Sequence, residues 1–168
     1  MFTFVRKGLF TMDYQIRPAL KTDMPAVLRL IQQLATYEKE PDAVEITVED
    51  LENDGFGPHP IFKCHVLEKD QEVVGIALFY FRYSTWKGKT IHLEDLVIDL
   101  HHRHRGYGEA LLKSVIAYAA TQKVRRVEWA VLDWNTPAMK LYEKMGASIL
   151  EDWNIVQMDR TQYLKVLK

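Results

Sequence analysis

The chain has 168 residues, 48% of them apolar and 27% charged, with a formal net charge of −1. That length buries a core without covalent staples, and Cys64, the lone cysteine, excludes an internal disulfide framework and any cysteine-built metal site. No apolar run approaches the ~20 residues that span a bilayer.

Residues 1–12 carry Arg6 and Lys7 but no sustained apolar stretch and no small-residue cleavage site, a poor signal peptide. Residues 1–13 therefore read as an N-terminal extension, or as upstream sequence if translation starts at Met12. A short strand over 14–17 leads to Pro18. Asp23 then caps a helix with Val27, Leu30, Ile31 and Leu34 at helical spacing, which ends at Tyr37 and Glu38. Thr47 with Asp50 three residues on forms a capping box for a second helix ending near Gly55. Residues 54–60, with two glycines and two prolines, form a loop.

Strands over 62–67 and 72–83 flank a polar hairpin turn at Lys69, Asp70 and Gln71. The lone Cys64 reads as a half-buried strand cysteine, compatible with a reducing cytoplasm. After a turn over 84–89 a further strand runs over 90–98. A helix over 106–123 is apolar at Ala110, Leu111, Leu112, Val115, Ile116 and Ala119. A strand over 127–132 follows. Asn135 then caps a helix with Pro137 in its first turn, which runs to Lys144 and stops at Gly146. A terminal hairpin over 147–150 and 154–158 and a tail helix complete the chain. This order predicts an α/β fold, a mixed, mostly antiparallel sheet with helices on both faces, and a single domain over 14–168.

Charge is unevenly distributed: eight acidic residues stand against Lys39 alone between Glu38 and Asp54, and every residue from His101 to Arg105 is His or Arg. Two ligands of opposite charge would account for this, as would two solvated faces. The basic run enters Arg103-His104-Arg105-Gly106-Tyr107-Gly108 between an apolar strand and a helix. Two glycines allow a tight turn, and the unpartnered first amides of a helix favour an anion such as a diphosphate. The spacing is neither that of a Walker loop nor of a dinucleotide fingerprint. A slightly acidic chain without aromatic-basic interleaving argues against nucleic acid.

The pattern Arg103-x-x-Gly106-x-Gly108 resembles the cofactor motif of the GNAT superfamily of N-acetyltransferases. Several segments are similar to the spermidine/spermine (diamine) and thialysine acetyltransferases in particular: Leu34-Ala35-x-Tyr37-Glu38, Glu52-x-Asp54-Gly55-Phe56-Gly57-x-His59-Pro60, Leu93-Glu94-Asp95, and Trp134-Asn135-x-Pro137, continuing through Leu141-Tyr142 to Gly146-Ala147. His104-Arg105 makes the turn more basic than the family pattern.

The resemblance implies a GNAT fold with a splayed central strand pair and acetyl-CoA as cosubstrate. Pantetheine would lie along Leu96, Val97 and Ile98, with the diphosphate on the turn from Arg103 through His104, Arg105, Gly106, Tyr107 and Gly108 to Glu109. Asn135, Thr136, Pro137 and Ala138 would hold its far side. It further implies Tyr142 as general acid for the departing thiolate and Glu94 as the residue that holds the amine and relays its proton. Tyr37, Glu38, Asp95, Trp86, Glu128, Trp129 and Ala130 would complete the amine site. Glu94 and Asp95 are adjacent on a strand, so alternation sends them to opposite faces. Trp86, in a tight turn, is compatible with packing as well as with the amine channel. His101 and His102 have no metal-ligand spacing, and no metal is expected. The small-molecule amine would be a polyamine or diamine, or else a lysine-like amino acid. No nucleic acid or membrane partner is expected, whereas a homodimer is. A non-catalytic CoA-binding module would lack Tyr142 and Glu94, and both are present.

Overall fold

A computed structural model describes residues 13–167. All but Asp13 of the segment expected as an N-terminal extension lies outside them. Residues 13–130 and residues 131–167 form two compact units.

The first unit is built on a five-stranded sheet in the order β1-β2-β3-β4-β5. Its strands are β1 (Gln15–Pro18), β2 (Lys63–Lys69), β3 (Glu72–Ser84), β4 (Gly88–Ile98) and β5 (Val127–Glu128). The first four pair antiparallel, and β5 joins β4 in parallel. The helices are α1 (Met24–Tyr37), α2 (Val48–Phe56) and α3 (Tyr107–Thr121).

The period-two pattern of β3 sorts the two faces. Ile76 and Leu78 join Val66, Cys64 and Val97 in a core with Met24, Val27 and Leu30 of α1 and Leu51 of α2. The alternate residues face α3: Phe79 lies 5.3 Å from the Tyr118 ring, and a side chain on Gly75 would collide with Leu111 at 3.0 Å. His65, on that side, bonds Ser114 of α3 through Nδ1 at 2.9 Å.

Thr47 and Asp50 exchange both bonds of the expected capping box. Asp23 stands at the N-cap of α1, but its carboxylate makes no bond to that helix. It binds Arg17 at 2.7 Å and the amide of Leu20 at 2.7 Å instead. The strand expected over 127–132 is reduced to two residues. The second unit holds α4 (Thr136–Lys144) and α5 (Arg160–Val166). No strand forms over 147–150 or 154–158, where Leu150, Ile155, Val156 and Met158 are exposed, as is Trp153 between them. An isolated two-stranded hairpin has too little buried surface to hold itself, so the apolar pattern there does not become a ladder.

Candidate active site

The site on β4 arises from a single break in alternation. Phe79 stands opposite Leu93 and Leu78 opposite Asp95, which leaves Glu94 as an extra residue without a partner on β3. Such a β-bulge turns the side chains beyond it. Leu93 faces the α3 side with Phe79, while Asp95 faces the α1–α2 side with Leu78. The expectation that Glu94 and Asp95 point to opposite faces therefore fails. Both line one cavity of ≈ 280 Å³, with Asp50 and Asp54 from α2 and an apolar wall of Ile31, Ile46, Leu51, Phe62 and Leu78.

This cavity concentrates negative charge. Burial, with the carboxylates of Glu94 and Glu38 nearby, pushes the Asp95 carboxyl up to about 6. Burial likewise raises Glu38, the residue that follows α1. Glu94 accepts a hydrogen bond from Tyr80 Oη at 3.1 Å and has His92 Nε2 at 3.6 Å. Burial and the adjacent Glu94 carboxylate raise the Tyr80 phenol, which keeps it a donor. Tyr80 was not legible as a site residue, because only the strand register brings it to Glu94, whereas His92, two positions before Glu94 on β4, is within reach of period-two spacing and was missed.

The parallel ladder between β4 and β5 joins Ile91 to Val127 and His92 to Glu128. Leu96, Val97 and Ile98 lie beyond it. Val97 is buried in the core, and Leu96 and Ile98 are half-buried. Glu128 is held by Arg82 at 2.9 Å and Arg126 at 2.8 Å. Trp129 and Ala130 follow β5 outside any strand, and Trp86 is exposed at the tip of the β3–β4 hairpin.

At the far end of β4, buried Asp99 fixes the start of the basic turn. It accepts from His101 N at 3.0 Å, Gln33 Nε2 at 3.1 Å and Arg29 Nη1 at 2.7 Å. Burial opposes ionisation, yet these donors hold the Asp99 carboxyl well below the usual carboxylate range. Gly106 caps α3 with φ +79°, and a Cβ there would meet nothing within 4 Å, so this side of the turn is open. The helical ladder begins with Ala110 N donating to Gly106 O at 3.0 Å. The amides ahead of it have no partner within the helix, a geometry that fits a diphosphate.

Side chains of the turn divide between exposed and packed. His104 and Arg105 are exposed. Tyr107 is buried against Tyr14, with ring centroids 4.9 Å apart, so it offers a ligand only its main chain. Glu109 pairs with Lys113 at 2.7 Å. Arg103 folds back: its Nε donates to Ile98 O at 3.2 Å, and its guanidinium carbon lies 4.8 Å from the Tyr37 ring centroid.

Cys64 is buried, and burial raises its thiol, with the charges of Asp23 and Asp95 adding to the effect. It is a core residue and not a nucleophile. In the second unit Asn135 caps α4, its Oδ1 accepting from Ala138 N at 3.4 Å, with Thr136 and Pro137 in the first turn. Tyr142 lies on α4 and is buried. Among the described residues no group of three or more His, Cys, Asp or Glu is placed to hold a metal ion, and no helix is long and apolar enough to cross a membrane.

Residues 24–147 match the model of the acetyltransferase (GNAT) family. The chain is 41% identical over 155 residues to a thialysine N-epsilon-acetyltransferase of Bos taurus, covering 86% of this chain and 91% of that protein. It is 37% identical over 165 residues to the human spermidine/spermine N(1)-acetyltransferase-like protein 1, covering 92% of this chain but 24% of that longer protein. Among solved structures, an integron cassette protein from V. cholerae superimposes with a TM-score of 0.77 at 22% identity, over 94% of this chain and 99% of that one.

Proposed function

Because the chain belongs to the GNAT family of acetyltransferases, we propose that it transfers the acetyl group of acetyl-CoA to a primary amine of a polyamine or diamine. The observation that carries this reading is the cavity beside β4. Four carboxylates and five apolar side chains line it, and among the described residues no lysine, arginine or histidine does. A flexible chain of methylenes between ammonium groups matches both the charge and the apolar wall.

The chemistry imposes a proton sequence. An alkylammonium with pKa near ~10.4 is not a nucleophile at neutral pH. Glu94, polarised by Tyr80 and His92, holds the ammonium and takes its proton through water. The nitrogen then attacks the thioester carbon. The bond to sulfur breaks, Tyr142 protonates the thiolate that leaves, and the second proton shed by the nitrogen returns through water to the Tyr142 phenolate. The main chain of the turn from Arg103 to Glu109 holds the diphosphate, the edge at Leu96 to Ile98 the pantetheine, and Asn135 to Ala138 the far side of the cosubstrate. Tyr37, Glu38, Asp95, Trp86 and the segment Glu128 to Ala130 line the amine path in this reading. Residues 14–168 act as one catalytic domain. The exposed apolar side chains between Leu150 and Met158 support pairing of two copies, and the lone buried thiol supports a cytoplasmic setting.

A second reading, transfer to the side-chain amine of a lysine-like amino acid, is favoured by the name of the bovine relative. Such a substrate brings a carboxylate, which needs a cationic partner, and the described residues of the cavity lining supply none. Acetyl-CoA consumption with spermidine, putrescine and thialysine separates the two. We expect kcat/KM for spermidine to exceed that for thialysine by about 10-fold or more, a difference of roughly 1.4 kcal/mol in transition-state binding. The reverse order would install the amino acid as substrate, and turnover of none of the three would remove the polyamine assignment.

A further inference from the structure

The phosphate turn and the amine cavity are linked by one side chain. Arg103 opens the turn, but its side chain leaves it. The Nε–H is spent on the carbonyl of Ile98 at 3.2 Å, and the guanidinium carbon stands 4.8 Å from the centroid of the Tyr37 ring. Tyr37 is the last residue of α1 and Glu38 follows it. The helix end is tightly wound: Glu38 N bonds Leu34 O at 2.8 Å, Lys39 N bonds Thr36 O at 3.2 Å and Glu40 N bonds Ala35 O at 2.9 Å. One turn and a half earlier the same helix places Ile31 in the carboxylate cavity. Arg29 and Gln33 tie that helix to Asp99 from another direction.

We infer that Arg103 is a positioning residue for the amine site: its guanidinium, fixed by the Ile98 carbonyl, forms the platform that holds Tyr37 and Glu38 beside the carboxylate cavity, while the main chain of the turn serves the diphosphate. A planar, delocalised cation is needed for this. It stacks on an aromatic face while still donating in its own plane, and an ammonium cannot do both. The raised carboxyl of Asp95, in part an effect of Glu38, is consistent with the end of α1 lying close to the cavity. The inference deepens the proposed polyamine site, and its kinetic test rests on that reading.

Arg103→Lys and Arg103→Gln are the variants, with Tyr37→Leu and the double change Arg103→Gln/Tyr37→Leu. In each variant KM for spermidine is expected to rise about 5- to 10-fold, with KM for acetyl-CoA within about 2-fold of wild type. The double variant is expected to be no worse than the more affected single one, because both remove the same contact. Two further readouts need no amine. Calorimetry with CoA alone is expected to give a Kd within about 2-fold of wild type, and hydrogen exchange at the amides of residues 38–40 is expected to accelerate about 5-fold or more. A rise of about 10-fold or more in the Kd for CoA, with exchange at 38–40 unchanged, would make Arg103 a diphosphate ligand and overturn the inference. So would Arg103→Gln and Arg103→Lys variants that match wild type in every readout. Should wild type acetylate no polyamine, the substrate assignment falls, and the calorimetry and exchange readouts still decide the role of Arg103. Arg103→Lys keeps the charge and provides the test should Arg103→Gln fail to fold, which thermal melting detects.

Discussion

Asp95 is the residue whose surroundings most change its chemistry. Its carboxyl is raised from the usual 3.8 to about 6 by burial, with Glu94 and Glu38 contributing. A raised folded-state pKa means that folding favours the protonated form. The associated stability is complete below the ordinary carboxylate range and is lost as pH climbs through about 6. Asp95→Asn should therefore melt above wild type at pH 8, by about 3 kcal/mol at most, and close to it at pH 4. Binding should show the opposite trend. KM for spermidine in wild type should fall between about pH 5 and pH 7.5 as Asp95 ionises, and the Asn variant should lack that step. Tyr142 tests the other half of the proton sequence. Tyr142→Phe should lower kcat about 10²-fold while calorimetry still detects CoA, as loss of a general acid would. A kcat equal to wild type would end the assignment. Cys64 shows how far residue type alone could be read: its place in a strand was visible, and the adjacent Asp23 and Asp95 charges that help suppress its ionisation were not.

Elements closed by local chemistry were legible in the sequence, and elements closed by a distant partner were not. The Thr47–Asp50 box and the Asn135 cap depend on residues three positions apart, and both form as read. Gly146, at φ +84°, ends α4 as expected. The hairpin between β2 and β3 was also visible, but its strain was not. Asp70 and Gln71 both take left-handed conformations, with φ 51° and 66°. A two-residue turn of this kind favours glycine at its second position. Gln71→Gly should raise stability by about 0.5–1 kcal/mol, measured by chemical denaturation, because it removes the Cβ clash of that conformation. A loss of stability would show that the side chain of Gln71 contributes more than the strain costs. The bulge at Glu94, by contrast, is defined only by the register of β4 against β3, and nothing in Leu93-Glu94-Asp95 announces it. The same limit explains Asp23, whose carboxylate is taken by Arg17 across the β1–α1 corner, and the terminal hairpin, whose alternation has no third strand to pair with.

For the molecule as a whole, the near-zero net charge conceals a division that the sequence already displayed. Acidic residues from 38 to 54 gather around the cavity through Asp50 and Asp54, and the basic run from 101 to 105 leads into α3. A polycation drawn into such a cavity should respond to screening. Raising salt from about 0.02 to about 0.3 M should increase KM for spermidine about 3-fold or more, and less for the divalent putrescine. A flat response in steady-state kinetics would show that the carboxylates do not attract the amine over distance. Fold class, helix positions and the location of the turn were thus readable from pattern. The walls of the cavity were not, because they come from α1, α2, β3 and β4 and meet only after folding.

The supernumerary position of Glu94 has one more consequence. Leu93 and Asp95 already have their opposite numbers in Phe79 and Leu78, so the backbone between them could lose a residue and still keep both pairings. Excising Glu94 outright would shorten the chain without shifting a single neighbour to the wrong side. The sheet is therefore indifferent to this glutamate, and a lineage could gain or lose its carboxylate, and whatever chemistry goes with it, without rebuilding the protein around it.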